Sequence, residues 1–190
     1  MRVIAGSARG KRLKAPAGLH TRPITDMIKE ALFNVWGQEI IEASVLDLFA
    51  GSGSVGIEAL SRGAGRVVMV DNDKNAIQVI KENLANCGIN VGFEIFFNDV
   101  FKAVDLLNRH QEKFDFIYID PPFTNDKIFA QIMQLLGEIK VLASDGSLVI
   151  RTKKQKEMAE SYGHLYKYRS RIYGESCLHY YTWTEEDSKI

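Results

Sequence analysis

Cysteine is scarce in this chain of 190 residues, and Cys87 and Cys177 lie far apart with no C-x-x-C pair, which excludes a disulfide framework and a cysteine-built zinc site. The histidines, His20, His110, His164 and His179, fall at no metal-ligand spacing, so no metal is expected and all four are read as structural or surface residues. Long apolar runs are missing too: none approaches the ~20 residues that span a bilayer. The N-terminus lacks the apolar region of a secretory signal. It is Arg-rich and acid-poor, as transit peptides are, but Val3-Ile4 and Leu13 flank a segment bounded by Gly6 and Gly10. That arrangement reads as a short hairpin and argues for folded structure. These absences together point to a reducing compartment and a cytoplasmic location. Repeats, low-complexity tracts and Pro/Ser-rich linkers are absent as well, so boundaries rest on changes of pattern alone.

Hydrophobic residues make up 46% of the chain and charged ones 25%, enough for a sizeable core in one soluble domain. The formal net charge of zero hides an asymmetry. Residues 1–25 carry Arg2, Arg9, Lys11, Arg12, Lys14 and Arg22 with no acid, which leaves the remainder at −6. A basic face on a neutral body points to a polyanion, although charge alone also fits a solvated terminus. Residues 1–24 are taken as a basic hairpin extension and 25–190 as the main domain.

Thr25 or Asp26 is placed to cap a helix running to about residue 41, with Ile28, Leu32, Val35 and Trp36 on one face. Short apolar runs follow at 45–49, 67–70, 93–97, 114–119 and 147–150. Helical stretches near 54–62, 73–86, 100–109 and 126–139 alternate with them. Strands this uniformly apolar are usually covered on both faces, which predicts an α/β class with a mostly parallel sheet between helices. Segments 164–173 and 177–184, joined around Gly174, read as an antiparallel hairpin at a sheet edge.

Gly51, Gly53 and Gly56 satisfy G-x-G-x-x-G between the first strand and a helix, and Asp71 ends the next strand 18 residues after Gly53. This pattern indicates a nucleoside-containing cofactor without saying which. Asp47, inside the strand four residues before Gly51, suits an ammonium-bearing ligand better than a pyrophosphate. In open α/β sheets ligands bind at the carboxyl ends of the strands, where Asp47, Asp71, Asp99 and Asp120 all fall. At the last of these, Asp120-Pro121-Pro122-Phe123 follows an apolar run. The prolines fix the backbone and aim the acceptors. Pre-aimed acceptors gripping an exocyclic amino group would favour a more nucleophilic nitrogen, and Phe123 would stack on a base withdrawn from its neighbours. An ordinary proline turn with a surface aspartate fits the four residues equally well when they are taken alone.

With these residues in view, the chain resembles the S-adenosylmethionine-dependent methyltransferases with a D/N-P-P-F/Y/W motif, and more narrowly the RsmD family. The match runs through Arg2-Val3-Ile4-Ala5-Gly6, Arg9-Gly10-Lys11-Arg12-Leu13, Thr21-Arg22-Pro23-Ile24-Thr25-Asp26 and Glu30-Ala31-Leu32-Phe33-Asn34. It continues through Leu46-Asp47-Leu48-Phe49-Ala50-Gly51-Ser52-Gly53, Gly56-Ile57-Glu58-Ala59-Leu60-Ser61-Arg62-Gly63-Ala64 and the D-P-P-F turn, with Tyr173-Gly174 and Leu178 near the end. The resemblance implies a Rossmann-like methyltransferase fold, a seven-stranded mostly parallel sheet with an antiparallel edge hairpin, plus the small N-terminal hairpin. It implies methylation of a guanine N2 in 16S ribosomal RNA, at guanine 966, with S-adenosyl-L-methionine as cofactor and the RNA or small ribosomal subunit as partner; a monomer is expected, on no motif of its own.

The resemblance also implies roles for individual residues. Phe49, Ala50, Gly51, Ser52 and Gly53 would line the cofactor with Asp47 nearby. Asp71, beside Asn72, would take the ribose hydroxyls, and Asp99, beside Val100, the adenine amino group. Asp120 with the Pro121 carbonyl would hold the guanine amino group, with Pro122 and Phe123 completing the site. Arg2, Arg9, Lys11, Arg12, Lys14 and Arg22 would meet the RNA backbone. Family members often carry arginines where this chain has Met27 and Lys29, which leaves Lys29 to meet a phosphate only as a point charge. Three other readings remain open at this level: an adenine-N6 methyltransferase, a nicotinamide oxidoreductase using the glycine loop, and an RNA-binding module without catalysis.

Overall fold

The alternation of apolar runs and amphipathic helices is realised in a computed structural model that describes residues 1–16, 24–123 and 126–183. The chain divides into two compact units, Met1–Val100 and Phe101–Ile190.

In the first unit, helix α1 (Asp26–Trp36) begins at Thr25, whose extended backbone turns the hydroxyl back to accept from the Ile28 N–H at 3.3 Å. It ends five residues short of the sequence expectation. Gly37, at φ 56, leaves the helical region, and a single 3-10 turn (Gly37–Ile40) follows. Strands β1 (Ser44–Leu48), β2 (Arg66–Asp71) and β3 (Phe93–Phe97) run parallel in the order β3-β2-β1, connected by α2 (Ser54–Ser61) and α3 (Lys74–Cys87). Apart from Ser44 in β1 and the two end residues of β2, these two strands are fully buried, as expected for parallel strands joined by helices. β3 departs from the expected double cover: it ends the order of this unit, and Phe97 is 60% exposed.

The N-terminal hairpin forms through the Arg2 and Arg12 bridge, with Val3 N–H donating to Lys11 O and Gly10 N–H to Val3 O, both at 2.9 Å. It lies against α2. Gly6 permits this, because a Cβ there would sit 1.6 Å from the Ser61 carbonyl oxygen.

The second unit contains most of α4 (Val100–Arg109), then β4 (Phe114–Ile119), α5 (Asp126–Glu138), β5 (Leu142–Lys153), β6 (Ser161–Tyr162), β7 (Leu165–Tyr173) and β8 (Ser176–Trp183). Their order is β4-β5-β8-β7-β6, parallel between β4 and β5 and antiparallel thereafter. The described residues therefore form eight strands rather than seven. The extra strand, β6, is two residues long and too short for a period-2 pattern, so only its pairing with β7 reveals it. β5 extends well before residue 147 because its Ser-Asp-Gly stretch, which reads as a turn, is absorbed by a register shift against β4. The edge hairpin turns at Gly174, φ +59, as expected. Among the described residues no helix is long and apolar enough to cross a membrane.

Candidate functional site

In the first unit the chain leaves β1 through a loop of left-handed residues, Phe49 at φ 60, Gly51 at φ 57 and Gly53 at φ 72. The two glycines adopt this geometry freely. Phe49 does not, and such strain in a non-glycine residue, about 1–3 kcal/mol, concentrates at ligand-holding turns. The loop is held from several sides: Ala50 N–H donates to Val70 O at 3.0 Å, Gly51 N–H to Asp71 Oδ2 at 2.7 Å, and Asn83 Nδ2 to Ser52 O at 2.9 Å. Gly56 serves packing, since a Cβ there would lie 2.8 Å from Met69 on β2.

Asp47 is 2% exposed, and its Oδ2 accepts the Gly56 N–H at 2.9 Å. The carboxylate thus fixes the start of α2 from inside the unit. Asp71 closes β2 half-buried, with Oδ1 taking the Asp73 N–H at 2.9 Å. Burial pushes its carboxyl above the usual range, against the lowering effect of these N–H donors. Asn72 follows it and is exposed. Asp99 is half-buried between β3 and α4, where its N–H meets the Asn98 side chain at 2.9 Å, and Val100 is buried at the start of α4. The ten expected cofactor residues therefore fall on the ends of β1, β2 and β3 and the turns leaving them.

In the second unit Asp120 leaves β4 directly, and the two prolines, lacking N–H donors, end its ladder there. Pro121 is buried and Phe123 half-buried. Asp120 keeps 22% of its side chain open to solvent, with Arg151 Nη1 at 3.2 Å from Oδ2 and the Tyr118 hydroxyl donating at a long 3.4 Å. Burial drives its carboxyl up to about 6, against the opposing pull of Arg151 and Tyr118. Phe123 stacks on Phe129, centroids 6.2 Å apart, and the Arg151 guanidinium carbon lies 5.3 Å from its ring centre. Beside it opens a cleft of about 420 Å³ lined by Phe123, Asp126, Phe129, Lys153, Gln155, Lys156 and Glu157. Lys156 ion-pairs with Asp126 at 2.8 Å and lies 4.7 Å from the Phe129 ring centre. Sequence reasoning did not foresee Arg151, Phe129 or Lys156. For Arg151 there was a signal: a cation directly after the buried run Leu148-Val149-Ile150.

The basic residues of the hairpin differ in their surroundings. Arg9, Lys11 and Arg12 are exposed, while Arg2 pairs with Asp26 at 2.7 Å and Lys14 with Glu82 at 2.8 Å. Arg22 lies outside the described residues. Lys29 is not available to a phosphate: it is 1% exposed, donates to Arg2 O at 2.6 Å and Ser54 Oγ at 3.1 Å, and pairs with Glu58 at 3.2 Å. Glu58, fully buried, also accepts the Ile4 and Ala5 N–H groups at 2.8 and 2.9 Å and pairs with Arg62 at 2.9 Å. This cluster positions the hairpin, and an acid in the apolar stretch of α2 was its only trace in the sequence.

The chain is similar to known proteins over most of its length. The family model described as Conserved hypothetical protein 95 matches residues 1–182. A putative rRNA methyltransferase, YlbH, of Bacillus subtilis (strain 168) is 40% identical over 92% of this chain and 94% of its own length. The ribosomal RNA small subunit methyltransferase D of Haemophilus influenzae is 34% identical over 83% of this chain and 81% of its own. Among solved structures, a putative methyltransferase, yhhF, from Escherichia coli superposes with a TM-score of 0.81 at 26% identity, covering 96% of this chain and 97% of that one.

Proposed function

We infer that this chain, which belongs to the RsmD family described as Conserved hypothetical protein 95, is an S-adenosylmethionine-dependent methyltransferase acting on the N2 amino group of a guanine in small-subunit ribosomal RNA. The observation that carries the reading is the Asp120-Pro121-Pro122-Phe123 turn, its carboxylate set against Arg151 and its aromatic plate braced by Phe129, in a chain whose relatives are named as rRNA methyltransferases. S-adenosylmethionine supplies an electrophilic methyl group. The glycine loop from Phe49 to Gly53, with Asp47, Asp71, Asn72, Asp99 and Val100, is assigned to holding it.

Asp120 and the Pro121 carbonyl accept the two hydrogens of the guanine amino group, which favours a more nucleophilic nitrogen. A nitrogen that accepted the methyl group would become acidic. Its proton passes to the Asp120 carboxylate or to water, so no strong base is needed. Catalysis is then positioning plus electrostatics in a fixed turn. Phe123 takes the withdrawn base by stacking, and Arg9, Lys11 and Arg12 hold the phosphate backbone. The enzyme is further proposed to work as a monomer in the cytoplasm.

The adenine-N6 reading shares the same turn, and the choice of guanine N2 rests on the family. Labelled S-adenosylmethionine incubated with small-subunit rRNA lacking the modification tests it: the label is expected on one guanine N2. Label on adenine, or in DNA and not RNA, rejects the reading. Binding of NAD in place of S-adenosylmethionine, measured by calorimetry, would restore the oxidoreductase alternative.

A further inference from the structure

Arg151 is a buried cation with two aromatic and acidic neighbours that the proposed chemistry uses. It lies on β5 at 2% exposure, opposite Leu178 of β8. Its Nη1 stands 3.2 Å from Asp120 Oδ2, and its guanidinium carbon 5.3 Å from the Phe123 ring centre. Burying a guanidinium is costly unless an opposite charge accompanies it, and Asp120 is that charge. The guanidinium stands at ion-pair distance from the carboxylate and over the aromatic ring at once, as a cation delocalised over a plane rather than the point charge of an ammonium.

We propose that Arg151 is a positioning residue: one guanidinium, shared between the Asp120 carboxylate and the Phe123 ring, holds the amine-accepting group and the base-stacking plate in a single arrangement. The proposal rests on the methyltransferase reading, which assigns Asp120 and Phe123 to the target base and leaves Arg151 without a role. Asp120 contacts the amine and Arg151 acts through it. The groups that face the Asp120 carboxylate among the described residues are Arg151 from β5 and Tyr118 from β4. Of these only Arg151 carries a positive charge and its pull is the larger, so it is the main group that favours the ionised, accepting carboxylate.

The test compares wild type with Arg151→Met, which keeps an unbranched stem and removes the charge, and with Arg151→Lys, which keeps the charge and removes the plane. Each is assayed for kcat and KM on unmodified small-subunit rRNA from pH 5 to 9, and the Asp120 carboxyl is titrated directly by carbon-13 NMR. For Arg151→Met the Asp120 titration and the acid limb of kcat are expected to move up together by about 1 pH unit or more. At pH 6.5 kcat falls about threefold, and well below pH 6 about tenfold, the same shift expressed as a rate, while S-adenosylmethionine affinity stays within about twofold. For Arg151→Lys the acid limb stays near that of wild type but kcat still falls, because Phe123 loses its planar support. An unmoved Asp120 titration in Arg151→Met overturns the proposal. So does an Arg151→Lys enzyme indistinguishable from wild type, which also decides the matter if Arg151→Met does not fold. Should wild type fail to methylate the RNA, the functional reading falls on that result alone, and the NMR titration still reports whether Arg151 governs Asp120.

Discussion

The Gly51 N–H donates to Asp71 Oδ2 at 2.7 Å, so the carboxylate that closes β2 also holds the glycine loop leaving β1 in place. A residue assigned to the ribose hydroxyls is therefore part of the loop's scaffold. Asp71→Ala is expected to remove both functions. Hydrogen bonds to a charged group contribute about 1.5–3 kcal/mol each, which corresponds to a loss of S-adenosylmethionine affinity of roughly tenfold or more. Asp71→Asn keeps one acceptor and loses less. Calorimetric titration of the three proteins checks the order, and equal affinities would remove Asp71 from both tasks.

The buried pair of Lys29 and Glu58 gives a stability prediction. Glu58→Ala strands the Lys29 ammonium, whose affinity for its proton burial already lowers. Breaking such a pair from one side costs about 3–5 kcal/mol, whereas replacing both partners with apolar residues costs far less. Lys29→Met with Glu58→Leu is accordingly expected to be more stable to urea than Glu58→Ala alone. Because Glu58 accepts the Ile4 and Ala5 N–H groups, hydrogen exchange at those two amides should accelerate more than at α3 in the single variant.

Much of the architecture was legible because its signals are local. The helix start at Thr25, the parallel strands and the turn at Gly174 follow from capping chemistry, apolar runs and a left-handed glycine within a few residues of one another. The glycine loop was legible as a pattern, but its parts divide their work in ways spacing does not reveal. Gly56 makes room for Met69, and Asp47 spends its Oδ2 on the Gly56 N–H. What stayed hidden depends on pairing between distant positions. Arg151 acquires its meaning only beside Asp120, and Glu58 only beside Ile4 and Lys29. A charged residue in an apolar run marks such a place without naming its partner.

The exposed hairpin residues lead to a salt prediction. Each phosphate contact on single-stranded nucleic acid steepens the dependence of log K on log salt by about 0.7, so Arg9→Ala, Lys11→Ala and Arg12→Ala together should flatten it by about 2. S-adenosylmethionine affinity should not change. An unaltered slope, measured by filter binding of small-subunit rRNA between low and physiological salt, would move the RNA contact away from the hairpin.

The pH dependence of the wild-type enzyme follows from Asp120. Burial raises its carboxyl from the ordinary 3.8 to about 6, so the group is ionised and accepting above that value and takes up a proton as pH falls through it. The kcat for methyl transfer is expected to be level above about pH 7 and to fall on the acid side, approaching tenfold per unit well below 6. Asp120→Asn should abolish that limb and leave a low, flat rate. A wild-type acid limb near pH 4 would mean that the carboxyl is not raised or is not used.

Phe123 offers the clearest separation of base handling from amine handling. Its ring is half-buried and lies nearly parallel to Phe129 at 28°, so its orientation is set before any base arrives. Stacking of a base on an aromatic side chain contributes about 1–3 kcal/mol, which offsets much of what withdrawing the base costs. Phe123→Ala should therefore lower kcat/KM for rRNA by roughly tenfold to a hundredfold, with S-adenosylmethionine binding unchanged. Phe123→Tyr, which keeps the plane, should recover most of the loss, and Phe123→Leu, which keeps apolar bulk without a π-face, should not. If leucine restores activity as well as tyrosine does, the ring serves only to pack against Phe129, and the withdrawn base must be held by another group.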